Sequence, residues 1–212
     1  MSYGSSVPPA LQELVATVQR LQQRTTAPIV IAIDGRSGAG KSTVTAALSE
    51  ALGATSVPCD DFFAAHISAG EWDARAPARR AADALDWRRL REEAIEPLRA
   101  GRPARWLPFD FAAGPRANGT YGYQTVPATR EPRPVVLLDG AYSARPELVD
   151  VVDFAVLVEA PVAVRRARLA AREDSQFLAA WHACWDPAEE YYFTVVRPPA
   201  TFDLVVTRER GC

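Results

Sequence analysis

Residues 28–42 read Pro-Ile-Val-Ile-Ala-Ile-Asp-Gly-Arg-Ser-Gly-Ala-Gly-Lys-Ser. An apolar, β-branched run ends in an acid, and a glycine-rich turn follows that is closed by Lys41. Gly35 to Ser42 fit the pattern G-x-x-x-x-G-K-[ST], a loop whose backbone N–H groups cradle phosphate. The run up to Asp34 predicts a buried central strand. After Ser42, residues 43–52 carry apolar side chains at 44, 47, 48, 51 and 52, which is helical spacing, and Gly53 supplies a stop. Strand, glycine loop and helix in this order aim N–H groups and a positive helix end at an anion. Of the 24 Lys and Arg residues only Lys41 is lysine, and it stands where a compact cation would reach terminal phosphates.

The rest of the chain continues the pattern. Leu11, Leu14, Val15, Val18 and Leu21 predict an amphipathic helix ending near Arg24, after a small, polar tail. Further strands are expected over 54–59, 135–139, 154–158 and 204–207, with helices over 86–99, 161–174 and 176–184. Residues 112–134 are rich in Gly and Pro and read as a long loop, longer than compact domains keep without a functional reason. Strands alternating with helices predict an α/β fold, a doubly wound, mostly parallel five-stranded sheet with helices on both faces. The domain reading is a tail and helix over 1–24 and one domain over 25–212, with an acceptor-binding region at 64–134 and a lid region at 161–185.

A formal net charge of −2 provides no basic field for nucleic acid or anionic membrane. No apolar run reaches the ~20 residues of a spanning helix, and no signal pattern opens the chain. Cys59, Cys184 and Cys212 are odd in number and lack C-x-x-C spacing, so they read as reduced thiols of a cytoplasmic protein.

Phosphoryl transfer needs a cradle, a metal anchor, a base, extra cations and an acceptor pocket. The cradle is Gly35, Ser37, Gly38, Ala39, Gly40, Lys41, Ser42 and Thr43, and Ser42 and Asp139 are the expected Mg²⁺ anchors, Asp139 ending an apolar strand in the Walker B manner. Asp60 and Asp61 follow a strand, at the crevice where α/β sheets bind ligands. Adjacent acids point apart, so one is read as the base and the other as structural or substrate-contacting. Arg165, Arg168 and Arg172 share a helical face and can clamp phosphate oxygens; a solvated face paired with Glu173, Asp174 and other acids is the alternative. His66 and His182 are isolated, and the tryptophans read as core, with Trp72 or Trp106 as candidate pocket walls.

This order of motifs resembles the uridine kinase-like family of P-loop small-molecule kinases, relatives of phosphoribulokinase and pantothenate kinase. Residues 35–43 are similar to its G-x-S-G-[SA]-G-K-[ST]. Asp60-Asp61-Phe62-Phe63 resembles its D-[SD]-F-[YF], whose first acid is the family's base, which implicates Asp60. Asp83 to Asp86 and Pro108-Phe109-Asp110-Phe111 look like its D-A-[FL]-D and P-x-Y-D-F elements, residues 165–172 like its arginine lid, and residues 202–206 like its closing strand. The resemblance implies strand order 2-3-1-4-5, Asp60 and Lys41 as catalytic residues, ATP and Mg²⁺ as cofactors, and a small-molecule hydroxyl acceptor. Acceptor contacts are assigned to Asp61, Phe62, Arg79, Arg80, Asp83, Phe109 and Asp110; a homo-oligomer stays open. Three departures alter the acceptor side. Arg80 stands where nucleoside kinases of the family hold ribose with Asp, Phe109 lacks the phenol, and a histidine after Phe111 is missing. Arg79 and Arg80 together could favour an anionic acceptor, although a solvated helix face is the first reading of either one alone. The rivals are a regulatory ATPase and a non-catalytic nucleotide binder; the absence of N-K-x-D and of LSGGQ weakens switch and transporter readings.

Overall fold

The computed structural model describes residues 9–172 and 175–208. Its centre is a parallel sheet of five strands, β1 (Ile29–Asp34), β2 (Thr55–Pro58), β5 (Val135–Asp139), β6 (Phe154–Glu159) and β7 (Leu204–Thr207), in spatial order β2-β5-β1-β6-β7. Counting these five strands alone, the order is 2-3-1-4-5, as the resemblance implies. A short antiparallel pair, β3 (Ala104–Trp106) and β4 (Ala128–Arg130), lies apart and ends the loop expected over 112–134.

Alternation along the strands builds two cores. Val30, Ala32, Val136 and Leu138 face one side, with Phe62, Leu90, Ile95, Leu98 and Tyr192. Ile29, Ile31, Ile33, Val135 and Leu137 face the other, under α1 (Pro9–Gln22) and α2 (Lys41–Leu52). A side-chain period of two buries every residue of β1, because both faces are covered. Leu11, Leu14 and Val18 of α1 belong to that second core, so the helix is packed into the same unit as the sheet. Gly53 ends α2 at φ 60 and donates its N–H to the Ser49 carbonyl.

Asp153 and Asp203 fix the entry of β6 and β7. Asp153 Oδ2 accepts from Val30 N at 2.7 Å, and Asp203 Oδ2 accepts from Ala155 N at 2.8 Å. Register then brings Asp34, Pro58, Asp139 and Glu159 to the carboxyl edge together.

Between β2 and β3 the chain is more helical than its composition predicts. A 3₁₀ turn (Cys59–Phe62) leads to α3 (Ala69–Ala74) and α4 (Pro77–Asp83), then to α5 (Trp87–Arg89), a π turn (Leu90–Ile95) and α6 (Glu96–Arg99). After β6, α7 (Val162–Ala170) is followed by α8 (Ser175–Tyr191), which runs on through a π turn to Val196. No helix among the described residues is long and apolar enough to cross a membrane.

Candidate active site

The glycine loop closes at the carboxyl edge of β1. Gly38 has φ 76, and a Cβ there would stand 2.6 Å from the Arg165 carbonyl oxygen, so only glycine lets α7 approach. Lys41 Nζ donates back across the loop to the Gly35 and Arg36 carbonyls at 2.9 and 3.3 Å. Arg168 donates to the Gly38 and Ala39 carbonyls at 3.0 and 2.9 Å, and Arg165 donates to the Ser37 carbonyl at 3.4 Å. Both arginines thus face the loop, at its carbonyl side. Pinning the Ala39 carbonyl turns the N–H of the same trans peptide, that of Gly40, the opposite way. Burial holds the Arg165 guanidinium below its ordinary pKa. Arg172 is exposed beyond α7, and Arg166 pairs with Asp186 at 3.4 Å. Glu173 and Asp174, the acids weighed as partners of this row, lie outside the described residues, as does Cys212.

Asp139 stands at the end of β5 beside Ser42. Burial raises its pKa, which Ser42 and Lys41 partly offset. Its Oδ1 is buried without a hydrogen-bond partner among the described residues. An orphaned carboxylate oxygen next to a hydroxyl is the donor chemistry of a hard divalent cation, so Ser42 and Asp139 fit Mg²⁺. The following Gly140 has no room for a side chain, since a Cβ would meet Cys59 Cβ at 2.6 Å.

A cavity of about 530 Å³ opens beside the loop, between the 3₁₀ turn after β2, α3 and α8. Ser37 of the loop, Asp60 and Glu189 share its polar wall, and Phe63, Trp72, Phe109, Tyr121 and Trp185 form much of the rest. Phe63 is the hub, with ring centroids 5.3 Å from Trp72, 5.1 Å from Phe109 and 5.5 Å from Trp185. A second cavity of about 310 Å³ lies across the loop, at the ends of β6 and β7, between Arg36, Arg165, Pro161 and Phe193.

Several residues expected at the acceptor take other positions. Asp60 is exposed to the cavity, whereas Asp61 turns away and its Oδ2 accepts from Trp106 Nε1 at 2.8 Å. Burial raises the Asp61 pKa, with Trp106 opposing. Phe62 is fully buried in the core and lines neither of the two cavities. Arg79 is exposed and pairs with Asp83, which also binds Arg75. Arg80 donates to the Trp72, Asp73 and Cys184 carbonyls at 2.8, 2.9 and 2.8 Å. Each of its three nitrogens thus donates to one carbonyl, tying α3, α4 and α8 together, and neither Arg79 nor Arg80 lines the cavity beside the phosphate loop. Phe109 lines the cavity, while Asp110 Oδ1 accepts from Ala113 N at 3.1 Å. Trp106 packs on Phe62 outside the lining, while Trp181 and Trp185, read from sequence as core, belong to it.

Two acids central to the site carry little local signal. Glu189, only 3% exposed, accepts from Ser37 N at 3.0 Å and Ser37 Oγ at 2.6 Å, tying α8 to the loop. Its one trace in sequence is an acid among apolar positions 188, 192 and 193. Asp34, fully buried, accepts from Gly35 N, Tyr142 N, Ala144 N and the Tyr192 hydroxyl at 2.7–3.0 Å. Burial outweighs these donors and raises its pKa. Those bonds hold Tyr142, whose φ of 68 is otherwise costly, in the cavity wall.

Solved structures share this architecture. A possible uridine kinase from Bacillus stearothermophilus is 18% identical with a TM-score of 0.63, covering 92% of this chain and 98% of its own. A candidate fructose transport system kinase from Silicibacter sp. is 22% identical with a TM-score of 0.66, covering 95% and 100%. D-glycerate 3-kinase from Cryptococcus neoformans is 13% identical with a TM-score of 0.60, covering 95% and 96%. At such identities the likeness is one of fold. No curated protein matches the chain by sequence. The model of one family does, over residues 30–176, a span that holds the glycine loop, Asp60 and Asp139; the chain belongs to the phosphoribulokinase/uridine kinase family.

Proposed function

We propose that this protein is an Mg·ATP-dependent kinase of the cytoplasm that phosphorylates a hydroxyl of a small metabolite. The observation that carries the reading is the shared wall of the larger cavity, where Asp60 stands with Ser37 of the phosphate loop. One side chain able to take a proton thus meets the donor cradle and an acceptor-sized space. The smaller cavity suits the nucleoside end of ATP, and family membership makes phosphotransfer the expected chemistry.

Bound Mg·ATP would supply the transferable phosphoryl group and its charge neutralisation. Asp60 accepts the proton as the acceptor oxygen bonds to the γ-phosphorus and the bond to the bridging oxygen breaks, leaving ADP. Lys41 offers a cation to the terminal phosphates once it leaves the Gly35 and Arg36 carbonyls. Arg165 and Arg168 hold the loop and lie near enough to add positive field, and the exposed Arg172 is the third arginine of the row that could reach the nucleotide. Ser42 and Asp139 would hold the cation. The aromatic walls exclude water, which suppresses hydrolysis.

ADP formation across nucleosides, sugars, amino-alcohols and other hydroxyl compounds, with product mass checked, tests the reading. An acceptor-dependent rate that falls about a hundredfold or more in Asp60→Asn, with nucleotide binding intact, is the expected result. Hydrolysis independent of every acceptor would favour a regulatory ATPase.

A further inference from the structure

The larger cavity has a charge pattern that the kinase reading does not require. Its lining includes Asp60, Asp73 and Glu189 and, among the described residues, no Lys, Arg or His. Glu189 is engaged by Ser37, and Asp60 is reserved for the acceptor hydroxyl. Asp73 is exposed, and its carboxylate has no ion pair among the described residues. Burial raises the Tyr121 hydroxyl and the Cys184 thiol, and the charge of Asp73 adds to both, opposed at Cys184 by Arg80. The nearby cation Arg80 lies outside the lining, where each of its three nitrogens donates to a backbone carbonyl.

Aromatic faces add to this field. Trp72 and Trp185 lie 5.2 Å apart, and each lies within 5.5 Å of Phe63. Ring faces carry negative potential and attract cations. Trp72 already does so, with the Arg75 guanidinium 5.2 Å from its ring centroid and neutralised by Asp83. At the mouth Phe111 is 63% and Phe177 51% exposed, a patch that an apolar body would cover. An anion placed here meets carboxylates and ring faces with no donor fork; a cation is favoured by both.

Building on the kinase reading, we propose that the acceptor is a cationic alcohol: an ammonium group held by the aromatic walls and Asp73, a carbon-rich body, and a hydroxyl at Asp60. The class excludes carboxylated and phosphorylated acceptors.

Three matched probes test it: a hydroxyethyl benzyl-dimethylammonium compound, its carbon isostere with a neutral quaternary carbon, and that same carbon isostere with one methyl replaced by carboxylate. Binding is read by calorimetry and tryptophan fluorescence, independently of transfer, and ADP formation is measured in parallel. The cation should bind about tenfold or more tightly than the neutral isostere, and the anion more weakly still. Asp73→Asn should erase most of the cation's advantage while leaving the neutral isostere unchanged. Equal or tighter binding of the anion, no binding of any probe, or an unchanged preference in Asp73→Asn would overturn the inference. ADP formed with the order reversed would overturn it and leave the kinase reading standing. The predicted binding order without any transfer would support the ligand class and count against the kinase reading.

Discussion

Asp139 is a side chain whose environment opposes its own charge. Its pKa is raised by burial, so the folded state prefers it neutral. The neutral isostere Asp139→Asn should therefore raise Tm by ~2 °C at neutral pH while reducing Mg-dependent activity at least tenfold. The sign follows from linkage. With the folded pKa above an unfolded value of ~3.9, the cost is absent below that pH and grows as pH rises through the folded pKa. The Tm gain should vanish in scans below about pH 4. Asp34 behaves differently on truncation, because four donors converge on it. Asp34→Ala leaves them buried and unpaired and should cost about 3–5 kcal/mol in chemical denaturation. Lys41, Ser42 and Asp139 are legible in sequence because their signals are local, a loop pattern and a strand end. Asp60 and Asp61 are not separable that way, since the 3₁₀ turn and not strand alternation decides which one faces the cavity.

At the scale of elements, α7 and α8 meet the loop through backbone as much as side chains. The Gly38 site touches the Arg165 carbonyl, so Gly38→Ala must displace α7 or distort the loop. We expect ATP affinity to fall about tenfold or more by titration calorimetry, with the far-UV spectrum unchanged. Helix α8 outruns its expected end at Cys184 although Pro187, a breaker by propensity, sits inside it. Burial of Ala188, Tyr192 and Phe193 against the sheet outweighs the lost hydrogen bond and carries Glu189 to Ser37. The long loop over 112–134 is likewise anchored, by Tyr121 N to the Ala65 carbonyl and Ala69 N to the Gly119 carbonyl. Composition reports its Gly and Pro content but not these distant partners.

For the molecule as a whole, covering both faces of the sheet is the condition for stability. Removing residues 1–24 would delete Leu11, Leu14 and Val18 and uncover the strand residues beneath them. At ~1.5–3 kcal/mol per buried side chain, the loss approaches the ~5–15 kcal/mol that holds a typical domain folded. The truncated chain should be insoluble, or melt far below the full chain in calorimetry. A stable truncation with native Tm would mean that α1 contributes little to the core.

The phosphate loop, the sheet's central strands and the acid ending β5 were determined by the sequence alone, because each is a short-range pattern of hydrophobicity, glycine and charge. The order of strands came from resemblance. What only the tertiary structure decided is the acceptor side. There Arg80 is tied to three carbonyls, Glu189 arrives from α8, and Trp72, Trp181 and Trp185 become walls. Those roles depend on which groups meet across separations of up to about 150 residues, such as the 152 between Ser37 and Glu189. Spacing along the chain carries no record of such meetings. The donor half of the site is written locally, and the acceptor half exists only once the chain has folded.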